Sequence, residues 1–271
     1  MTATRTPFAP VVCVLDIPCA ATNLDAVIAH ILHSITTASA SFETRTISAI
    51  SIHTLVYARE SRQAIAALRH AYMNLLDGTP AVWLARMKGA RTARKCRGPT
   101  LMRRLLQASA TLPVRHAFCG GPPGVADMLR ARVAQQLGNT QVVYTYTPPF
   151  RPMTDAEIAD LAAALDQNAV DIAWIGISSP KQEILAYRLA QHTRRVRYII
   201  TVGGAFDMLS GRVPEAPVWM QRMALEWLFR LLVEPRRLWK RYTTVIPKFL
   251  FLATLDLWKF LRAKGRGQSC L

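Results

Sequence analysis

The chain has 271 residues, 51% hydrophobic and 19% charged, which is enough for one α/β domain with its own core plus an appendage. Thirty-four Lys and Arg against 17 Asp and Glu give a net charge of +17, so the partner is expected to be anionic: nucleic acid, anionic lipid or a phosphorylated substrate. Its five cysteines (Cys13, Cys19, Cys96, Cys119, Cys270) form no C-x-x-C pair and fit free thiols in a reducing cytosol. The first ten residues lack the apolar stretch of a signal peptide.

Short β-branched runs alternate with helical patterns. Strands are predicted at Val11–Leu15, Thr46–Ile52, Arg115–Cys119, Gln141–Tyr146, Asp171–Ile177 and Arg197–Val202. Helices are predicted at Asn23–Ile35, Thr54–His70, Pro80–Met87, Pro99–Ser109, Val125–Leu137, Thr154–Asp166 and Pro180–His192. Thr154 and Glu157 read as a capping box. This alternation implies an α/β fold, a mostly parallel sheet with helices on both faces. After Gly211 only helical pattern remains, so the chain divides into a core, 1–211, and a helical appendage, 212–271. The appendage holds twelve Lys and Arg against four Asp and Glu, interleaved with Trp, Phe, Leu and Met. That composition suits a cationic amphipathic element on an anionic membrane surface. Its most apolar run, Val245–Leu261, is broken by Lys248, Asp256 and Lys259 and is a poor membrane span.

Ligands of such folds bind at the carboxyl ends of the strands, and four loops there carry unusual chemistry. In Asn74–Pro80 an apolar run delivers Asp77 to a strand end, followed by Gly78. Asp77 is either a general base or a helix N-cap. Phe118–Gly124 places Gly120, Gly121 and Gly124 between a strand and a helix, as a phosphate-binding turn or a plain βα turn. It is not the G-x-G-x-x-G of a dinucleotide site. Ile175–Glu183 puts Lys181 in a helix first turn, where a cation is electrostatically unfavourable unless an anion binds; the alternative is an ordinary exposed turn. Thr201–Asp207 carries paired glycines and an Asp207 that either bonds to ribose or base or is simply solvated. No D-x-D, Walker A or H-E-x-x-H pattern occurs, and the six histidines show no metal spacing.

These loops, in this order, resemble the WecG/TagA/CpsF glycosyltransferase family over roughly residues 11 to 249. The matching pieces are DGTPAVWLAR, RGPTLM, FCGGPPGVAD, SSPKQE, VGGAFDMLSGRVPEAP and LEWLFRLLVEPRRLWKRY. The resemblance implies a Rossmann-like core of GT-E type with a membrane-associating appendage. It implies inverting, metal-independent transfer of a hexose or N-acetylhexosamine from a UDP-sugar to a polyprenyl-diphosphate-linked sugar, without a cofactor. Such enzymes serve cell-surface polysaccharide assembly on the inner face of the bacterial plasma membrane. Asp77 matches the catalytic base, and Gln182 falls near donor and acceptor. Arg230, Arg237 and Lys240 match appendage positions that fold over the site. Gly78, Gly120, Gly121, Gly124, Lys181, Asp207 and Phe150, in the loop after Gln141–Tyr146, are carried as substrate contacts. Three positions depart from the family pattern. Ser51-Ile-His53 replaces Thr-x-Asn, Lys95 replaces an Arg, and Thr100 replaces the Asp of G-x-D-L-M. Lys95 keeps the charge, as a catalytic candidate, but loses the bidentate fork. Ser51 and His53 remain substrate-binding candidates.

The competing readings are a nicotinamide-dependent oxidoreductase, suggested by the glycine turns, and a nucleic-acid-binding protein, suggested by the charge. A catalytically silent membrane scaffold is a third. A homo-oligomer that hides the apolar face of the appendage is also expected.

Overall fold

A computed structural model describes residues 8–37 and 42–265. The chain start, read as lacking a signal peptide, and Cys270 lie outside the described residues; Cys13, Cys19, Cys96 and Cys119 are free thiols.

Six strands form one all-parallel sheet: β3 (Arg45–Ile50), β4 (Met73–Leu76), β5 (His116–Gly120), β6 (Val142–Tyr146), β7 (Ile172–Gly176) and β8 (Tyr198–Thr201). Their spatial order is β4-β3-β8-β7-β5-β6. Because side chains alternate along a strand, each strand feeds two layers. Phe118, Trp174 and Ile200 face α1 (Leu24–Thr36), α5 (Gly98–Ala108), α6 (Val125–Leu137) and α9 (Ala205–Leu209). Their neighbours Ala117, Ala173 and Ile199 face α7 (Asp155–Gln167) and α8 (Lys181–Ala190). The predicted two-faced, Rossmann-like α/β sheet is therefore present.

Two expectations are corrected. Val11–Leu15 is not part of the parallel sheet. Its strand β1 (Val11–Val14) pairs antiparallel with β2 (Ile17–Ala20) in a separate hairpin. The hairpin turns through Leu15 and Asp16, both at positive φ and neither a glycine, which removes the usual turn signal. Thr54–His70 is two helices, α2 (Ile52–Ala58) and α3 (Arg62–His70). Ser61 caps α3 by accepting from the amide of Ala64, so a new helix starts where apolar spacing alone suggested continuation. The Thr154–Glu157 capping box forms as expected, and Arg151 pairs with Glu157.

After Gly211 come α10 (Val218–Arg222), α11 (Glu226–Val233) and α12 (Pro235–Gly265). A stripe on α12, Leu238, Val245 and Phe249, is buried, and the last two join a third cluster with α2, α3, the hairpin and α4 (Thr79–Met87). Farther along, Asp256 takes both the amide of Leu15 and the ammonium of Lys88, the latter at 2.9 Å from each carboxylate oxygen. Among the described residues, no helix is long and apolar enough to cross a membrane.

Candidate active site

Parallel strands bring all their carboxyl ends to one edge of the sheet, and Asp77 lies there, directly after β4. Its own amide donates to Ile50 at the end of β3, fixing the backbone. Gly78, not Asp77, is the N-cap of α4, which leaves the carboxylate out of the capping role. Instead, Oδ2 accepts from the backbone amide of Gly98 at 3.0 Å. The segment before α5 is held alongside β4, since Cys96 donates its amide to Leu76. Gly98 must be a glycine here: an added Cβ would stand 2.8 Å from the carbonyl oxygen of Val202, just past β8.

Burial raises the Asp77 pKa above the ordinary carboxylate range. The Gly98 amide and the cations Arg97 and Lys95 oppose that shift, and Glu226 adds to it. A carboxylate so placed is a stronger base at neutral pH than a solvated one.

Lys95 is committed within the protein: Nζ sits 2.8 Å from Glu226 Oε2 and donates to the carbonyl of Gln221. Arg97, buried, reaches the other oxygen of Glu226 through Nε at 2.6 Å and donates to Gln221 Oε1. Arg97 and Arg103 also pair with Glu215. Two acids of the appendage thus dock on three cations of the core.

Glu226 and Arg230 stand one turn apart on the same side of α11. Arg230 reaches the turn after β8, where a Cβ added at Gly204 would meet its Nη2 at 3.6 Å, and its buried Nε has no hydrogen-bond partner. Arg241, on α12, lies close to Arg230 and Arg237: burial first, and then their two charges, depress its pKa. His53 belongs to the same group: burial and then Arg241 lower its pKa to about 4, so it is a neutral ring at neutral pH. Ser51 caps α2 by accepting from the amide of Thr54 and so presents His53 in the first turn. The result is a cluster of guanidinium groups with an unused donor, a setting suited to a diphosphate.

The other candidates are placed differently. Gln182 is buried, and its polar atoms are engaged. Oε1 accepts from the amide of Gly203, while Nε2 donates to Ser179 and Glu183. It brackets α8 to the turn after β8. Gly120 is needed where β5 passes β7, since a Cβ there would be 2.4 Å from Gly176 O. Gly121 follows in the same turn, and Gly124 caps α6. Lys181 is exposed with Nζ 5.5 Å from the ring centre of Phe150, which is itself fully exposed. Asp207 pairs with Arg212 at 3.3 Å. Lys240 is exposed and, by helical spacing, points away from the buried Leu238–Val245–Phe249 stripe. Arg241, one position on, is the residue turned toward Arg230. Among the described residues no three His, Cys, Asp or Glu side chains converge as metal ligands.

Residues 12–263 match the glycosyl transferase family WecG/TagA/CpsF. The chain belongs to this family.

Within the WecG/TagA/CpsF family, curated relatives include the Bacillus subtilis (strain 168) N-acetylglucosaminyldiphosphoundecaprenol N-acetyl-beta-D-mannosaminyltransferase. The two are 26% identical over 206 residues, covering 75% of this chain and 76% of the relative. This WecG/TagA/CpsF protein is therefore a glycosyltransferase. The candidate site also gathers four residues that were not named as candidates from the sequence: Arg97, Gln221, Glu226 and Arg241. Arg97, Glu226 and Arg241 lie inside the matched motifs RGPTLM and LEWLFRLLVEPRRLWKRY, whereas Gln221 lies between motifs and left no signal.

Proposed function

We propose that this glycosyltransferase moves a hexose or N-acetylhexosamine from a UDP-sugar to a polyprenyl-diphosphate-linked sugar, with inversion and without a metal, in bacterial cell-surface polysaccharide assembly. The name of the Bacillus subtilis relative, with its diphosphoundecaprenol acceptor, supports this acceptor class. The observation that carries the reading is the pairing of two features at one sheet edge. One is a carboxylate made more basic by burial, and the other is a guanidinium cluster with a donor to spare.

In this mechanism Asp77 takes the proton of the acceptor hydroxyl. That oxygen forms the new bond to the anomeric carbon while the bond from that carbon to the diphosphate oxygen breaks. Arg230, Arg237 and Arg241 meet the negative charge that develops on the departing diphosphate. The neutral His53 ring beside Arg241 is suited to a sugar or phosphate oxygen. Gln182 acts here by holding the turn after β8. The described residues up to Gly211 serve as the catalytic core, and α10, α11 and α12 close over it. The outward side of α12 carries Trp239, Leu250, Phe251, Trp258 and Leu261, all exposed, among Arg236, Lys240 and Arg262. That face suits the anionic inner surface of a plasma membrane, where the lipid-linked acceptor resides.

The test is sugar transfer itself. Purified protein is incubated with a panel of UDP-sugars and a short-chain GlcNAc-diphosphate or Glc-diphosphate lipid, with EDTA present. UDP release together with a product one sugar heavier is the expected result. Turnover that requires an added divalent ion would overturn the metal-independent mechanism, and no product from any donor–acceptor pair would overturn the proposed acceptor class.

A further inference from the structure

We infer that Glu226 is a positioning residue: by drawing Lys95 and Arg97 onto α11 it fixes the backbone amide of Gly98 against Asp77, so that the base is set only when the appendage is docked. This rests on the reading of Asp77 as the base. The geometry is specific. Glu226 gives one oxygen to each cation, Oε2 to Lys95 at 2.8 Å and Oε1 to Arg97 at 2.6 Å. Gln221 fastens the same two residues a second time, through its carbonyl to Lys95 and its Oε1 to Arg97, while its own Nε2 is tied to the carbonyl of Ala216.

These contacts differ from ordinary surface pairs. The Arg97 side chain is only 8% exposed and that of Glu226 23%, so losing the acid leaves a buried cation with Glu215, at 3.7 Å, as its remaining acidic partner among the described residues. Arg97 immediately precedes Gly98, whose amide is the donor to Asp77. The backbone there runs close beside Val202, whose carbonyl oxygen a Cβ on Gly98 would meet at 2.8 Å. A shift of Arg97 is thereby transmitted to the hydrogen bond on the carboxylate. The same helix carries Arg230 one turn on, so docking α11 sets the base and delivers the leaving-group cation together.

The charged and titratable groups facing Asp77 are Lys95, Arg97 and the Cys96 thiol on one segment, and Glu226 on α11. Glu226 raises the Asp77 pKa, whereas Lys95 and Arg97 lower it. Losing the Glu226 charge acts to lower the Asp77 pKa, whereas weakening the Gly98 hydrogen bond acts to raise it, so the two effects oppose and the pKa is not the readout.

The experiment compares full-length protein with Glu226→Gln and Glu226→Asp. Hydrogen exchange at the Gly98 amide is read without turnover. Expected for Glu226→Gln is exchange about tenfold faster at Gly98, with core strand amides unchanged. The kcat is expected to fall by about tenfold with the UDP-sugar KM within about threefold. Glu226→Asp is expected to recover most of kcat. Unchanged exchange at Gly98 would overturn the proposal. Faster exchange with no effect on sugar transfer would leave the coupling intact and count against Asp77 as the base. The two readings therefore fail separately.

Discussion

Gly98 donates its backbone amide to Oδ2 of Asp77 at 3.0 Å, across 21 positions of sequence. This joins the end of β4 to the start of α5 and leaves the carboxylate buried with few partners. A buried carboxylate whose pKa is raised binds its proton more tightly folded than unfolded. Its contribution to stability is present below the ordinary carboxylate pKa and is lost as pH rises through the folded value. The site therefore keeps its base at a cost to the fold.

Asp77→Asn is expected to remove that cost and the chemistry together. Asn keeps an acceptor for the Gly98 amide but cannot take a proton. Turnover should fall by about 10²- to 10⁴-fold, the usual worth of a general base, while UDP affinity stays within a few fold. Thermal denaturation at neutral pH should show an unchanged or higher Tm. In the parent enzyme, kcat should rise with pH through a pKa above the usual carboxylate range, because the ionised form is the base. Steady-state kinetics across pH and a melting curve for both proteins check each part. Turnover retained in Asp77→Asn would remove this residue from the mechanism.

Much of the fold was legible because its signals are local. Parallel strands buried on both faces read as short β-branched runs, and the appendage declares itself by losing them after Gly211. Asp77 was legible as a carboxylate at a strand end. The hairpin at Leu15–Asp16 was not, since its turn uses non-glycine residues at positive φ. Nor was the set of Lys95, Arg97 and Glu226, which are 131 and 129 positions apart and meet only through tertiary docking. The partners of Gln182 were hidden for a related reason. A polar residue at a strand-to-helix turn looks available, yet its amide is used up in bracketing α8 to Gly203.

Arg241→Ala separates two contributions at His53. Burial is the larger cause of the low His53 pKa of about 4, and the Arg241 charge is the smaller one. Removing the charge should raise the His53 pKa part of the way toward 6.5 and no farther. The UDP-sugar KM or kcat should worsen by roughly tenfold if the guanidinium serves the diphosphate. Titration of the imidazole signals by NMR, alongside kinetics, reads both. An unmoved His53 titration would show that Arg241 does not face it in solution.

The Lys88–Asp256 pair pins the far half of α12 to the hairpin and α4, with side chains 7% and 13% exposed. Lys88→Met leaves Asp256 with the Leu15 amide as its remaining partner and should cost about 3 kcal/mol. Lys88→Met/Asp256→Leu should regain much of this, because removing both charges removes the stranded one. Urea denaturation of the single and double variants measures the coupling. Additive losses would mean that the pair does not hold the helix.

The outward side of α12 tests the membrane reading without touching the fold. Phe251 and Trp258 are 64% and 49% exposed, so replacing both with Glu should leave Tm nearly unchanged. Each aromatic withdrawn from an interface forfeits roughly 1.5 kcal/mol or more. Partition onto anionic vesicles should then fall by about 100-fold. Arg236→Glu and Lys240→Glu should instead remove the salt-sensitive part of binding, about 1 kcal/mol for each cation lost. Vesicle sedimentation at two salt concentrations distinguishes the two contributions. Unaltered partition in Phe251→Glu/Trp258→Glu would assign the exposed face to a second copy of the chain, detectable by sedimentation without lipid. Tight, steeply salt-dependent binding to oligonucleotides with no affinity for vesicles would make nucleic acid the anionic partner instead.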